Sequence, residues 1–180
     1  MLPGPAPLLR GGPVFLRPLA LRDAAALHAV FANPGRMRHW DTPPHGNPAT
    51  TEVVIRGWLA EAESGARLSW CLAEQARGPA FGLATLFGIS ARDRRAELAF
   101  LQAGTHDGRG LMREALTRLL AFGFTDMRLR RMGASCPAGA ERAINTLKKL
   151  NFLEEGRLRG YLAAAEGATD LCLFGRLLSD

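Results

Sequence analysis

Cysteine is sparse in this sequence: Cys71, Cys136 and Cys172 stand far apart, with no CxxC pair and no histidine beside them at metal-ligand spacing. That excludes a disulfide framework and a thiolate metal centre; reduced, buried thiols and no bound metal are expected. Long apolar runs are missing too. The longest, such as Leu119 to Phe124, fall far short of the roughly 18 residues a membrane-spanning helix needs, so no membrane association is expected. The opening MLPGPAPLL has no basic leading segment, contains three prolines and precedes no small-residue cleavage site. It does not read as a signal peptide, and a cytoplasmic protein is expected. Aromatic residues make up only 7% of the chain, a poor stacking surface for single-stranded nucleic acid. The net charge of +6 suggests a polyanionic partner, but the arginines cluster only at Arg92 to Arg95 and Arg128 to Arg131. Without an aromatic-basic surface motif, a nucleic-acid-binding module is disfavoured.

What the chain does have is enough apolar residue for a core: 47% hydrophobic and 22% charged over 180 residues fit one domain spanning residues 1–180. Pro13 to Leu19 alternates as a strand, Ala24 to Phe31 is amphipathic, and Asn33-Pro34-Gly35 stops it. Met37 to Pro48 reads as loop. Thr50 or Thr51 then caps a helix with Val54, Trp58 and Leu59 on one face, ending near Ser64-Gly65. Three strands follow at Leu68 to Ala73, Phe81 to Ile89 and Ala96 to Gln102, and their short turns imply an antiparallel meander. Beyond Ala96 the order is strand, helix (Leu111 to Phe124), strand (Arg130 to Cys136), helix (Ala140 to Leu150) and strand (Leu171 to Leu177). This alternation predicts an α/β fold with a mixed sheet, parallel in its middle, and an exposed terminal strand that would suit a homodimer.

Strand Ala96 to Gln102 runs through Gly104, His106, Asp107, Gly108, Arg109 and Gly110 straight into the helix at Leu111. Glycines there let a ligand approach the backbone, the helix N-terminus carries partial positive charge, and Arg109 adds a full one. The turn is an anion cradle on that reading, and a tight turn that needs glycine for its own conformation on the other.

The segment FLQAGTHDGRGLMREAL resembles the acetyl-CoA motif of the GNAT acetyltransferases, in the branch that acts on ribosomal-protein N-termini; Gly108, Gly110, Glu114, Ala115 and Leu116 fit without gaps. The resemblance extends to FLRPLALRDAAALHAVFANP, RHWDTPPHGNPATTEVVIRGWL and LKKLNFLEEGRLRGY, in the same order and over nearly the whole chain. It implies a central mixed, mostly antiparallel sheet, splayed between two parallel strands and flanked by helices. It also implies N-acetyl transfer from acetyl-CoA to a peptide N-terminus or a small-molecule amine. Pantetheine would pair with the strand at Phe100, Leu101 and Gln102, and the diphosphate would sit on His106, Asp107, Gly108, Arg109, Gly110, Leu111 and Met112. Arg142 would reach the 3′-phosphate. Glu97 matches the position of a general base; the competing reading is a strand glutamate paired with Arg94 or Arg95. Trp40, with His39 and His45, and Tyr161 would wall the acceptor pocket or simply pack.

The sequence departs from the family pattern in one helix. Ala140 and Ala143 stand where asparagine and serine are usual, and Leu147 stands where other branches have a proton-donating tyrosine. Asn151 replaces a glycine and is the best substitute in a left-handed backbone. A catalytically degenerate coenzyme-binding sensor or partner subunit is therefore the alternative reading. Cys136 lacks a histidine partner and reads as a packed thiol.

Overall fold

A computed structural model describes residues 5–40, 42–164 and 167–180. The strands are β1 (Leu9–Gly11), β2 (Val14–Pro18), β3 (Arg67–Ala73), β4 (Gly82–Ser90), β5 (Arg95–Gln102), β6 (Arg131–Pro137), β7 (Leu153–Ala164) and β8 (Gly167–Leu177). The helices are α1 (Ala24–Phe31), α2 (Pro34–Met37), α3 (Pro48–Glu63), α4 (Leu111–Ala121) and α5 (Glu141–Lys149). All strands join one sheet in the order β1-β2-β3-β4-β5-β6-β8-β7. Every pairing is antiparallel except β5 with β6. The mixed, helix-flanked sheet expected from the alternation is thus present.

Alternation along the strands sends side chains to two cores. On β3, Leu68, Trp70 and Leu72 face α4 and α5, joining Leu116, Leu119 and Leu147, while Cys71 faces the opposite side with Phe31, Ile55 and Leu83. Trp70 is fully buried, and its indole N–H donates to Pro7 O at 2.8 Å, which fastens the N-terminal segment. Burying each such large side chain contributes roughly 1.5–3 kcal/mol.

Several boundaries differ from expectation. The cap of α3 is Asn47, whose side chain accepts from the Thr50 amide at 3.0 Å, rather than Thr50 or Thr51; Thr51 is fully buried inside the helix. The same helix also fully buries Ile55, while Val54, Trp58 and Leu59 are half-buried. The fourth helix stops at Ala121 and passes into a wider π turn, Phe122–Asp126, before β6. Residue Asn151 does take the left-handed backbone, at φ 60°. The largest difference is β7, a twelve-residue strand that the alternation did not include. It pairs with β8 and forms the sheet's edge, so the terminal strand β8 lies inside the sheet between β6 and β7. The edge beyond β8 is β7, because the chain doubles back after α5 and lays its last strand against β6.

Candidate functional site

The two parallel strands share three rungs only: Arg95 opposite Arg131, Ala96 opposite Met132 and Glu97 opposite Gly133. Beyond Glu97, β5 continues to Gln102 with β4 as its partner, and β6 continues to Pro137 with β8 as its partner. The facing edges part, and their backbone groups are left without a ladder. A groove of about 1160 Å³ fills the opening, walled by Leu98 to Gln102 of β5 and by Ala134, Ser135 and Cys136 of β6. Phe100, Leu101 and Gln102 lie along it.

At one end the groove meets the turn into α4. Gly108 (φ 74°) and Gly110 (φ 73°) both take left-handed backbone, and a Cβ built on either meets nothing within 4 Å. Glycine is therefore required by conformation and leaves open space beside the chain. Among the described residues, the amides of Gly108, Arg109 and Gly110 find no acceptor. Free amides, the positive end of an eleven-residue helix and room for close approach form a set that can receive a diphosphate. Leu111 and Met112 anchor the turn by burying their side chains, and Met112 also touches the groove.

The side chains of this loop do less at the groove than their backbone. Arg109 donates to Glu74 Oε1 at 2.5 Å, and His106 lies 3.3 Å from the same carboxylate while stacking on Phe81 with ring centroids 4.1 Å apart. The Arg109 hydrogen bond, above all, holds the Glu74 carboxyl below its ordinary range. Neither Arg109 nor His106 lines the groove; Asp107 and Gly108 do. Asp107 accepts both arms of the Arg36 guanidinium, a hydrogen bond from Gln102 Nε2 at 3.1 Å, and an ion pair from Arg142. Burial pushes the Asp107 carboxyl up, but Arg36, Gln102 and Arg142 outweigh it and hold it below its usual value. The oxygen of the same Gln102 amide, Oε1, is buried with no partner among the described residues.

Glu97 is half-buried on the α1–α3 face of the sheet, two residues short of Ala99 in the groove wall. Its carboxylate occupies the space over Gly133: a Cβ built there would lie 2.3 Å from Oε2. Among the described residues it forms no ion pair, so Arg94 and Arg95 are not its partners; Arg95 sits 3.8 Å from Asp93 instead. Burial raises the Glu97 pKa, Arg131 and Arg95 oppose that, and Glu155 reinforces it. Next to it, Arg131 is held by Glu155, whose carboxylate fills the space over Gly175.

Trp40 and His39 line the groove, with Trp40 also edge-on to Phe31 at 6.3 Å. His45 is elsewhere: it is buried, stacked on Phe31 at 4.8 Å and bonded through Nδ1 to Thr51. Tyr161 is 62% exposed on β7 and lies outside the groove. Cys136 sits in the groove wall, directly opposite Cys172 on β8, and burial pushes its thiol up to about 11. Leu147 is 1% exposed in the core, and Ala140 and Ala143 border the groove. Residues that the sequence did not single out also line it: Arg36, Ser135, Asn145 and Thr146. Asn145 and Thr146 carried a signal, since each lies about one helical turn from Arg142 or Ala143. The place of Arg36 carried none.

A profile of the acetyltransferase (GNAT) domain family matches residues 14–153. The chain is 28% identical to a spermidine N(1)-acetyltransferase of Escherichia coli K12 over 145 residues, 81% of this chain and 75% of that one. Its fold is similar to that of a spermidine N-acetyltransferase from Vibrio cholerae solved with CoA and spermine, at a TM-score of 0.82 and 23% identity, covering 93% of this chain and 96% of that one. It is also similar to RimL, the ribosomal L7/L12 alpha-N-protein acetyltransferase, solved with coenzyme A, at a TM-score of 0.85 and 16% identity, covering 95% and 98%.

Proposed function

The chain belongs to the GNAT acetyltransferases, an acetyl-CoA-dependent family of acyltransferases, and on that premise we propose a site and an acceptor class for its N-acetyl transfer. A single observation carries the reading: the β5–β6 ladder stops at Glu97 and Gly133, and the groove it opens ends on the amides of Gly108 to Gly110, which have no partner among the described residues. The diphosphate rests on the turn from Asp107 to Met112, pantetheine runs along Phe100 to Gln102, and Arg142 serves a phosphate at the mouth. His106 and Arg109 support the loop through Glu74 rather than meeting the ligand with their side chains. One domain spans residues 1–180.

The bound coenzyme supplies an acetyl thioester and a thiolate leaving group. The protein's task is then to present a neutral amine in line with that carbonyl, and positioning alone can supply about 7–11 kcal/mol of the barrier. Glu97 is the base, receiving the amine's proton through water; burial raises its pKa, which makes the ionised carboxylate a stronger proton acceptor. Leu147 borders the groove but is a hydrocarbon, so no helix side chain at that place protonates the departing thiolate. Trp40 and His39 bound the acceptor's approach, whereas the exposed Tyr161 has no part in it.

The acceptor is a primary amine, either a polyamine or a peptide N-terminus; the spermidine N-acetyltransferases and RimL support one each. The ribosomal branch is favoured by the motif order noted in the sequence. The protein is cytoplasmic in this reading, and its homodimer forms through the β7 edge, along which Leu153, Leu158 and Tyr161 are exposed.

Calorimetric titration with acetyl-CoA tests the site. Gly108→Asp and Gly110→Asp should each weaken binding by about tenfold or more, through repulsion of the diphosphate. Gly108→Asn, of equal size and without charge, should bind markedly better than Gly108→Asp. Unchanged affinity in both aspartate variants sinks the assignment. A thiol-release screen with spermidine, spermine and N-terminal peptides then identifies the acceptor. Retained coenzyme binding with no turnover across the panel would support the second reading, a coenzyme-binding sensor, which the buried Leu147 favours.

A further inference from the structure

Arg36 and Asp107 are 71 positions apart in sequence and meet in a two-pronged ion pair at the groove mouth: Nη1 donates to Oδ1 at 3.0 Å and Nη2 to Oδ2 at 2.5 Å. Their side chains are 22% and 27% exposed, so water screens this pair less than a surface one. The guanidinium lies over Gly104, where a Cβ would come within 2.6 Å of Nη2, so the loop has a glycine where Arg36 must seat. Arg142, by contrast, reaches the same carboxylate from a side chain 78% exposed.

A carboxylate one residue before the glycine turn is ill placed for binding an anion directly. Left alone it would repel a diphosphate; here two guanidiniums neutralise it and leave a net positive charge. Its fitted role is therefore to hold other groups. Arg36 belongs to α2, which is capped by Asn33 and pinned by the buried Met37, and which leads directly into His39 and Trp40 of the acceptor wall. We propose that Asp107 is a positioning residue that joins the coenzyme loop to the acceptor wall through Arg36, so that coenzyme binding orders residues 35–40. The proposal rests on the reading of the turn as the diphosphate receptor. In it the exposed Arg142 arm is exchanged for a coenzyme phosphate, and the sheltered, bidentate Arg36 arm stays. Asp107 is then left to Arg36 alone, and the wall is fixed when the donor is in place. The physical link is one continuous chain of contacts from turn to carboxylate to guanidinium to α2.

Hydrogen–deuterium exchange on the full chain, with and without saturating coenzyme A, tests this. In the wild type and in Asp107→Glu, coenzyme A should slow exchange of residues 35–40 by about fivefold or more, together with residues 108–113. In Asp107→Asn and in Arg36→Ala the protection of 108–113 should persist while that of 35–40 falls below about twofold. Gly104→Ala, which crowds Arg36 without removing a charge, should behave like Arg36→Ala. Protection of 35–40 retained in Asp107→Asn and Arg36→Ala overturns the proposal. Protection confined to 108–113 in the wild type overturns it as well, leaving the coenzyme site intact. No protection at either segment in the wild type overturns the coenzyme site, and this proposal with it.

Discussion

Glu97 and Gly133 face each other on the last rung that the two parallel strands share, and the glutamate's carboxylate fills the space that a side chain at Gly133 would need. The point where the sheet opens is thus also the point where a carboxylate is half withdrawn from water. A first consequence concerns stability. Gly133→Ala should lower the free energy of unfolding by about 1–3 kcal/mol, measured by urea titration, because the new methyl group and the carboxylate overlap. In a Glu97→Ala background the same substitution should cost clearly less. Equal losses in both backgrounds would mean that the contact with Glu97 is not what requires the glycine.

The second concerns the pH dependence of turnover. Burial, only partly offset by Arg131 and Arg95, raises the pKa of Glu97 from its ordinary value. As base it must be ionised, so kcat/KM should fall on the acid side with an inflection above the usual glutamate value. Glu97→Gln should lower kcat/KM by about 10²–10⁴-fold and remove that inflection. A group raised in the native state binds more protons than it does unfolded. Its contribution to stability is therefore full below its unfolded pKa and lost as pH rises through the native one.

A third prediction has the opposite sign. Burial, and then the neighbouring His28, pushes His45 below the ordinary imidazole value, and burial and Arg38 do the same to His39. The unfolded chain binds protons that the native one refuses, so this stability is present above about pH 6.5 and is lost as pH falls towards the lowered native values. Urea midpoints should be lower at pH 5 than at pH 7.5, and His45→Gln should narrow the difference. A difference unaffected by that substitution would assign the effect to other groups.

Asn151 gives a fourth. Its left-handed backbone, φ 60°, follows α5 where the chain turns into Phe152. Asn151→Ala should destabilise by about 1–2 kcal/mol in the same titration. Asn151→Gly should be close to neutral, since glycine relieves the same strain.

Legibility in the sequence followed the physics of burial. Strands β3 to β6 and helices α1, α4 and α5 were readable because each presents apolar residues at one period to a core. Strand β7 was not. It lies at the sheet edge, and Glu154, Glu155, Arg157 and Arg159, interrupted by Gly156 and Gly160, give it no apolar alternation to detect. The α3 cap was placed three or four residues late, because Pro48 hid the start of a helix that tolerates proline in its first turn. At the site, the glycine turn could be read locally, since its backbone needs are local. The pairing of Arg36 with Asp107, and the seating of Glu97 over Gly133, exist only once distant segments meet.

Three rungs are a narrow seam. To one side lie the five antiparallel strands β1 to β5, to the other the β6-β8-β7 raft, and few backbone hydrogen bonds tie one to the other. The backbone ladder is thinnest along the line where the groove begins, while one helix-facing core spans both sides of it. A rotation of one raft against the other about that seam would open or narrow the cleft without changing the register inside either raft.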